Sequence, residues 1–159
     1  MALRCVYRKS QPSDALVLSM KLREQDYHEI QAMHGIDVNI KDILEQSMAL
    51  SKECYTGELD GEVIVMFGVS VFNQEKNLGC PWMLGSDKLA KVPKDIVSQG
   101  KRYVAEWLKE YKGLINFVDT RNSRSIRWLK RIGFYIHEPM EMGVMMLPFH
   151  PFSQFRREE

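Results

Sequence analysis

The sequence predicts a mixed α/β domain, and three observations carry that reading. Leu114 to Phe134 reads LINFVDTRNSRSIRWLKRIGF, an apolar run, an asparagine, a basic amphipathic stretch and then Gly-Phe, which is the pattern of strand, helix and next strand. Pro93 to Tyr111 places Ile96, Val97, Gly100, Tyr103, Val104, Trp107, Leu108 and Tyr111 on one helical stripe. From Cys54 to Leu84 the apolar residues instead alternate or run continuously, as strands do. Taken along the whole chain, the pattern gives about six to seven strands and about five helices, each burying one face against a neighbouring layer.

The elements follow in order. Leu3 to Arg8 alternates and includes Val6 and Tyr7, so it reads as a first strand. Gln11-Pro12-Ser13-Asp14 then offers a turn and a cap for a helix running through Met20. A second helix is predicted over Arg23 to His34, stopped by Gly35, and a third from Asn39, where Ile40, Ile43, Leu44 and Met48 share a face. Asp60-Gly61, between Tyr55-to-Leu59 and Val63-to-Phe72, is a hairpin signal because both residues tolerate positive φ. Pro81 to Leu84 gives the next strand. Asn122 or Ser123 caps the helix after Leu114 to Val118, and Gly133 ends it. Phe134 to His137 and Gly143 to Leu147 read as a terminal hairpin, and residues 148–159 as an irregular tail of one domain spanning 1–159.

At 159 residues the chain can bury one hydrophobic core. Its net charge of +1 projects no strong field toward nucleic acid or anionic lipid, so electrostatic partners must be recognised locally. Cys5, Cys54 and Cys80 lie far apart without the paired spacing of a zinc site, and His28 and Glu29 lack a second histidine at ligand spacing, so no metal is assigned. No stretch approaches the roughly 20 apolar residues of a membrane span. The expectation is a soluble protein of a reducing cytoplasm, or one packaged in a particle after cytoplasmic synthesis.

LINFVDTRNSRSIRWLKRIGF resembles the C-terminal motif of the GCN5-related N-acetyltransferase (GNAT) fold, and the order of elements resembles that fold over nearly the whole chain. The resemblance implies a central mixed, mostly antiparallel twisted sheet and an acetyl-CoA site beside Asn122. It also implies a tyrosine in the following helix, where this chain has Leu129, and a glycine-rich loop at the start of the long helix. Backbone N–H groups at such a helix start bind phosphate oxygens. Here the junction reads Lys88-Leu89-Ala90-Lys91-Val92-Pro93-Lys94-Asp95, without glycine, which leaves Lys91 and Lys94 to hold phosphates as point charges. Gly100, two turns into the helix, reads as a close-packing position of helix on sheet.

No residue is assigned a catalytic role. Glu62, Asp119, Tyr135, His137 and Glu138 are the acid–base candidates, and the strand Val63 to Val71 is mostly apolar where a base would be expected. The ridge Arg124, Arg127 and Arg131, with Arg121 and Lys130, reads as a solvent-facing helix side, which makes nucleic acid a minor partner hypothesis.

LREQDYHEIQAMHGID, the helix ending at Trp107 to Tyr111 and the asparagine motif together resemble a phage subgroup of acetyltransferase-like proteins that includes small internal virion proteins of short-tailed phages. That resemblance implies a virion-associated, morphogenesis or host-interaction protein with a degenerate acetyl-CoA site and a phage or host protein as partner. The competing expectation is an acetyl-CoA-dependent N-acetyltransferase acting on a protein, peptide or small amine.

Overall fold

A computed structural model describes residues 3–157 of the chain. The N-terminal third is one strand, β1 (Val6–Lys9), and three helices, α1 (Pro12–Ser19), α2 (Glu24–His34) and α3 (Ile40–Leu50). Asp14 lies in the first turn of α1 and accepts the Gln11 N–H at 2.8 Å, while Asn39 accepts the Asp42 N–H and caps α3. Gly35 ends α2 at φ 104°, a backbone conformation only glycine adopts without strain.

β2 (Ser51–Leu59), β3 (Glu62–Asn73) and β4 (Leu78–Gly85) form an antiparallel meander. Asp60 and Gly61 join β2 to β3 with φ of 51° and 79°, the positive pair that a tight hairpin turn requires. A short 3₁₀ turn, Asp87–Lys91, leads into α4 (Pro93–Glu110), then β5 (Gly113–Asp119) and α5 (Ser123–Ile132). Gly133 closes α5 in the left-handed region at φ 116°. Three strands finish the described chain: β6 (Tyr135–Ile136), β7 (Met140–Met142) and β8 (Leu147–Phe155).

The strands make one sheet in the order β1-β2-β3-β4-β5-β8-β6, with β7 also paired to β8. Among the described residues only β4 and β5 run parallel, so the expected α+β architecture with a mostly antiparallel sheet holds, with eight strands there in place of six or seven. α1 and α3 pack on one face around Leu18, Leu44 and Met66. α4 and α5 pack on the other, around Val104, Trp107, Leu114 and Phe152.

Three expectations are corrected. The segment read as an irregular tail is β8, whose residues 149–155 pair with Asp119 back to Gly113 of β5. The hairpin partner expected at Gly143 to Leu147 is instead the turn between β7 and β8, held on α2 by the Val144 and Met145 N–H groups, which donate to Met33 and Ala32 carbonyls. Gly100 is a close-packing position, but between two helices. A Cβ there would stand 2.5 Å from Ile132 Cδ1 of α5.

Candidate functional site

The site arises where the sheet opens. β4 and β5 are in register only at Leu78–Gly113 and Gly79–Leu114, and beyond those pairs the strands part. Asn116 Nδ2 spans the gap and donates to the Pro81 carbonyl at 2.6 Å. Further along the same edge of β4, the Gly85 N–H donates to Asp26 Oδ2 at 2.9 Å and its carbonyl accepts from the Arg23 N–H at 2.8 Å. Strand alternation puts the N–H and C=O of Met83, between these two, on that same edge. A cavity of about 400 Å³ crosses the sheet through this gap and is lined by residues of both faces, among them Cys80, Trp82 and Phe117 toward α2 and α3, and Phe67, Val104 and Trp107 toward α4. Burial pushes the Cys80 thiol up to about 11, so it lines the cavity as an uncharged group.

Two carboxylates on one face of α2 enter this cavity, and their surroundings differ. Asp26 is locked in a buried fork with Arg23, at 2.7 and 3.0 Å, and both side chains are 2% exposed. Arg23 Nη2 also donates to Ser125 Oγ at 3.2 Å, and its guanidinium lies 5.4 Å from the Trp128 ring, so this ion pair ties α2 to α5. Glu29, one turn further, has no cationic partner among the described residues. Its Oε1 accepts the Asp119 N–H at 2.6 Å. Burial, reinforced by the charges of Asp26 and Asp119, pushes Glu29 up to about 8 against the pull of that N–H and of Asn122. Sequence reasoning considered Glu29 only as a metal ligand. Its place here is set by how α2 packs over the end of β5, which no local signal reports.

Asn122 is 1% exposed, lines the cavity and caps α5, its Oδ1 accepting the Ser125 N–H at 3.3 Å. Lys91 ends the 3₁₀ turn and Lys94 lies in the first turn of α4. Both are exposed and neither lines the cavity, so they are not gathered with Asn122. Leu129, where the GNAT motif has tyrosine, lines the cavity with an apolar side chain.

The start of α4 carries an acidic side chain and no glycine. Pro93 has no N–H to offer, every residue from Ser86 to Gln99 carries a Cβ, and Asp95 places a carboxylate in the first turn. That carboxylate is buried, and Asp95 Oδ2 accepts from the Cys5 N–H at 3.0 Å and the Tyr7 hydroxyl at 2.8 Å. A negative charge therefore already sits where the helix would attract an anion. The junction thus lacks the glycine of the family motif, whereas the gap between β4 and β5 is lined largely by apolar residues.

The other acid–base candidates fall outside the cavity. Glu62 bridges Lys21 and Lys88 at the hairpin, Asp119 is held by Arg121 at 2.6 Å, and His137 shares a hydrogen bond with Ser153 Oγ at 2.7 Å. Tyr135 and Glu138 are exposed. Among the described residues no group of three His, Cys, Asp or Glu side chains is arranged to hold a metal, and no helix is long and apolar enough to cross a membrane.

A mostly antiparallel sheet opening between parallel β4 and β5, with an asparagine-capped helix at the gap, defines an acetyltransferase-like fold. Comparison with solved structures gives that fold its name. The acetyltransferase of the GNAT family from Bacillus anthracis superposes with a TM-score of 0.70 at 12% identity, over 98% of this chain and 96% of that one. The ribosomal-protein-alanine N-acetyltransferase from Brucella melitensis gives 0.70 at 11% identity, over 95% and 99%. YncA from Salmonella typhimurium, solved with its cofactor acetyl-CoA, gives 0.67 at 15% identity, over 98% and 96%. The chain thus has the GNAT fold. No family model and no curated protein matches the sequence.

Proposed function

We propose that this chain uses the GNAT fold as a binding scaffold, with a degenerate acetyl-CoA site and little or no acetyl transfer. The observation that carries this is the Asp95 carboxylate held by Cys5 and Tyr7 in the first turn of α4, where the nucleotide end of the cofactor needs a glycine-lined anion site. The resemblance to internal virion proteins of short-tailed phages supplies the setting, a virion-associated, morphogenesis or host-interaction role with a phage or host protein as partner. Exposed Val144, Met145 and Met146 on the turn above α2 suit an adaptable apolar contact. The test is a thermal-shift titration with acetyl-CoA and with CoA. No shift at millimolar ligand is the expected result, and a concentration-dependent rise in melting temperature at micromolar ligand overturns the reading.

The cavity itself favours a second reading, an N-acetyltransferase for a protein, peptide or small amine. In it Asn122 and the Met83 backbone would hold the arm of acetyl-CoA, which supplies the activated acetyl group, and Lys91 and Lys94 would meet the phosphates. Glu29, without a cation in the cavity wall, would in its ionised form, which grows as pH rises toward about 8, take the proton of an entering ammonium. A micromolar shift with acetyl-CoA that Glu29→Gln leaves intact, together with loss of turnover in that variant, would establish this reading over the first.

A further inference from the structure

The solvent side of α5 carries one sign of charge. Arg127, Lys130 and Arg131 are exposed, Arg124 is half-buried, and the helix holds no acidic residue. None of the four has an ion-pair partner among the described residues, whereas Arg121, just before the helix, is taken up by Asp119. α4 adds to this face. Gly100 of α4 meets Ile132 of α5 and Trp128 packs with Val92 and Ile96, so the two helices lie side by side. By helical phase, Lys94 and Lys101 of α4 and Arg124 and Arg131 of α5 then lie on the shoulders that the helices turn toward each other. Both lysines are exposed, and neither is ion-paired among the described residues. On each helix the two cations stand seven residues apart, a rise of about 10 Å.

These unpaired cations attract closely spaced negative charge, and because the whole chain carries only +1 the attraction is local. The side chains around them narrow the partner. Ile126, Leu129 and Ile132 are turned inward against the core, so no apolar side chain of α5 stands beside the bases to enter a bilayer. Trp128 and Phe134 are buried, and strand alternation points Tyr135 away from the side on which Phe134 packs, so no ring is offered for stacking unpaired bases. Double-stranded RNA is held in part through its 2′-hydroxyls, for which the solvent side of α5 offers Ser123 alone. A DNA duplex asks only for its phosphates to be met, and one of its strands passes about three phosphates in about 10 Å of axis. Arginine forks suit those phosphates.

We propose that the face formed by α5 and the adjoining shoulder of α4 docks duplex DNA through its phosphate backbone, without reading sequence. Arg124, Arg127, Lys130 and Arg131 meet the phosphates from one helix, and Lys94 and Lys101 from the other. None of these residues lines the cavity, so the proposal goes beyond the scaffold reading and names a second class of partner on a separate surface.

The test is fluorescence anisotropy with a labelled mixed-sequence DNA duplex across a salt series. With about five phosphates neutralised, log affinity should fall against log salt with a slope of about −4.5, so binding should weaken roughly 500-fold between about 50 and 200 mM salt. Arg127→Glu with Arg131→Glu should weaken binding more than about tenfold at the lower salt and flatten the slope by about two. Arg127→Gln with Arg131→Gln serves if the charge reversal does not fold. Lys76→Glu with Lys112→Glu, at exposed positions beyond the C-terminal end of α4, changes the net charge equally and should weaken binding by no more than about twofold. No binding at the lower salt, equal losses in the two glutamate variants, or equal binding of double-stranded RNA or of phosphatidylserine vesicles would overturn the proposal. The duplex reports nothing on the cavity, so a parallel titration with acetyl-CoA tests the scaffold reading separately.

Discussion

Asp119 donates its backbone N–H to Glu29 Oε1 at 2.6 Å across 90 residues of sequence, joining α2 to the end of β5 at the rim of the cavity. The bond fixes the position of a carboxyl group that its surroundings keep protonated near neutrality.

Because Glu29 is pushed up to about 8 from a usual 4.5, the folded state holds a proton that the unfolded chain has released between these values. Its contribution is complete below about pH 4.5 and is lost as pH rises through about 8. The melting temperature should therefore fall between pH 5 and pH 9. Glu29→Gln should flatten that slope by on the order of 2 kcal/mol, allowing for solvent in the cavity. Parallel melts of the two proteins across this range would show an unchanged slope if Glu29 titrates normally.

The Arg23–Asp26 pair is a buried ion pair, and removing one partner strands the other charge. Asp26→Asn should destabilise by about 3–5 kcal/mol in urea unfolding, whereas Arg23→Met with Asp26→Leu should cost markedly less than the sum of the single changes. Additive losses would mean that the two side chains do not act as a pair.

Asp95→Asn removes the carboxylate from the start of α4. Cys5 and Tyr7 lose their charged acceptor, so stability should fall by about 1–3 kcal/mol. At the same time the helix end becomes available to anions, and CoA should bind more tightly than to the wild type in calorimetric titration. Equal CoA affinity would show that Asp95 is not what disfavours the diphosphate.

β8 lies between β5 on one side and β6 and β7 on the other. A chain ending at Met146 should consequently lack a cooperative thermal transition, read by circular dichroism, because β5 and its buried Leu114 and Val118 lose their partner. A sharp transition in that truncation would make β8 dispensable.

What was legible in the sequence was what is decided locally. The Asp60-Gly61 hairpin, the start of α3 at Asn39, the cap of α5, offered at Asn122 or Ser123 and found at Asn122, and the left-handed Gly133 depend on a few neighbouring residues. β8 was illegible because Pro148 and Pro151 interrupt it, and proline argues against an interior strand. Their carbonyls are used nonetheless, accepting from Thr120 and His137. Among site residues, Asn122 was found through its motif. Glu29 and Trp107 were not, since a glutamate on a helix and a tryptophan on an apolar stripe look ordinary until distant segments enclose them.

The position of β8 also bears on how the protein is made. Every strand it pairs with leaves the ribosome first, and 36 residues separate the end of β5 at Asp119 from the end of β8 at Phe155. At roughly 5–20 residues per second, β5 waits some two to seven seconds with one edge uncovered. During that interval the nascent chain presents an apolar strand edge to chaperones and to its neighbours on the same polysome, so slowing translation after Asp119 should lower the soluble yield without altering the finished fold.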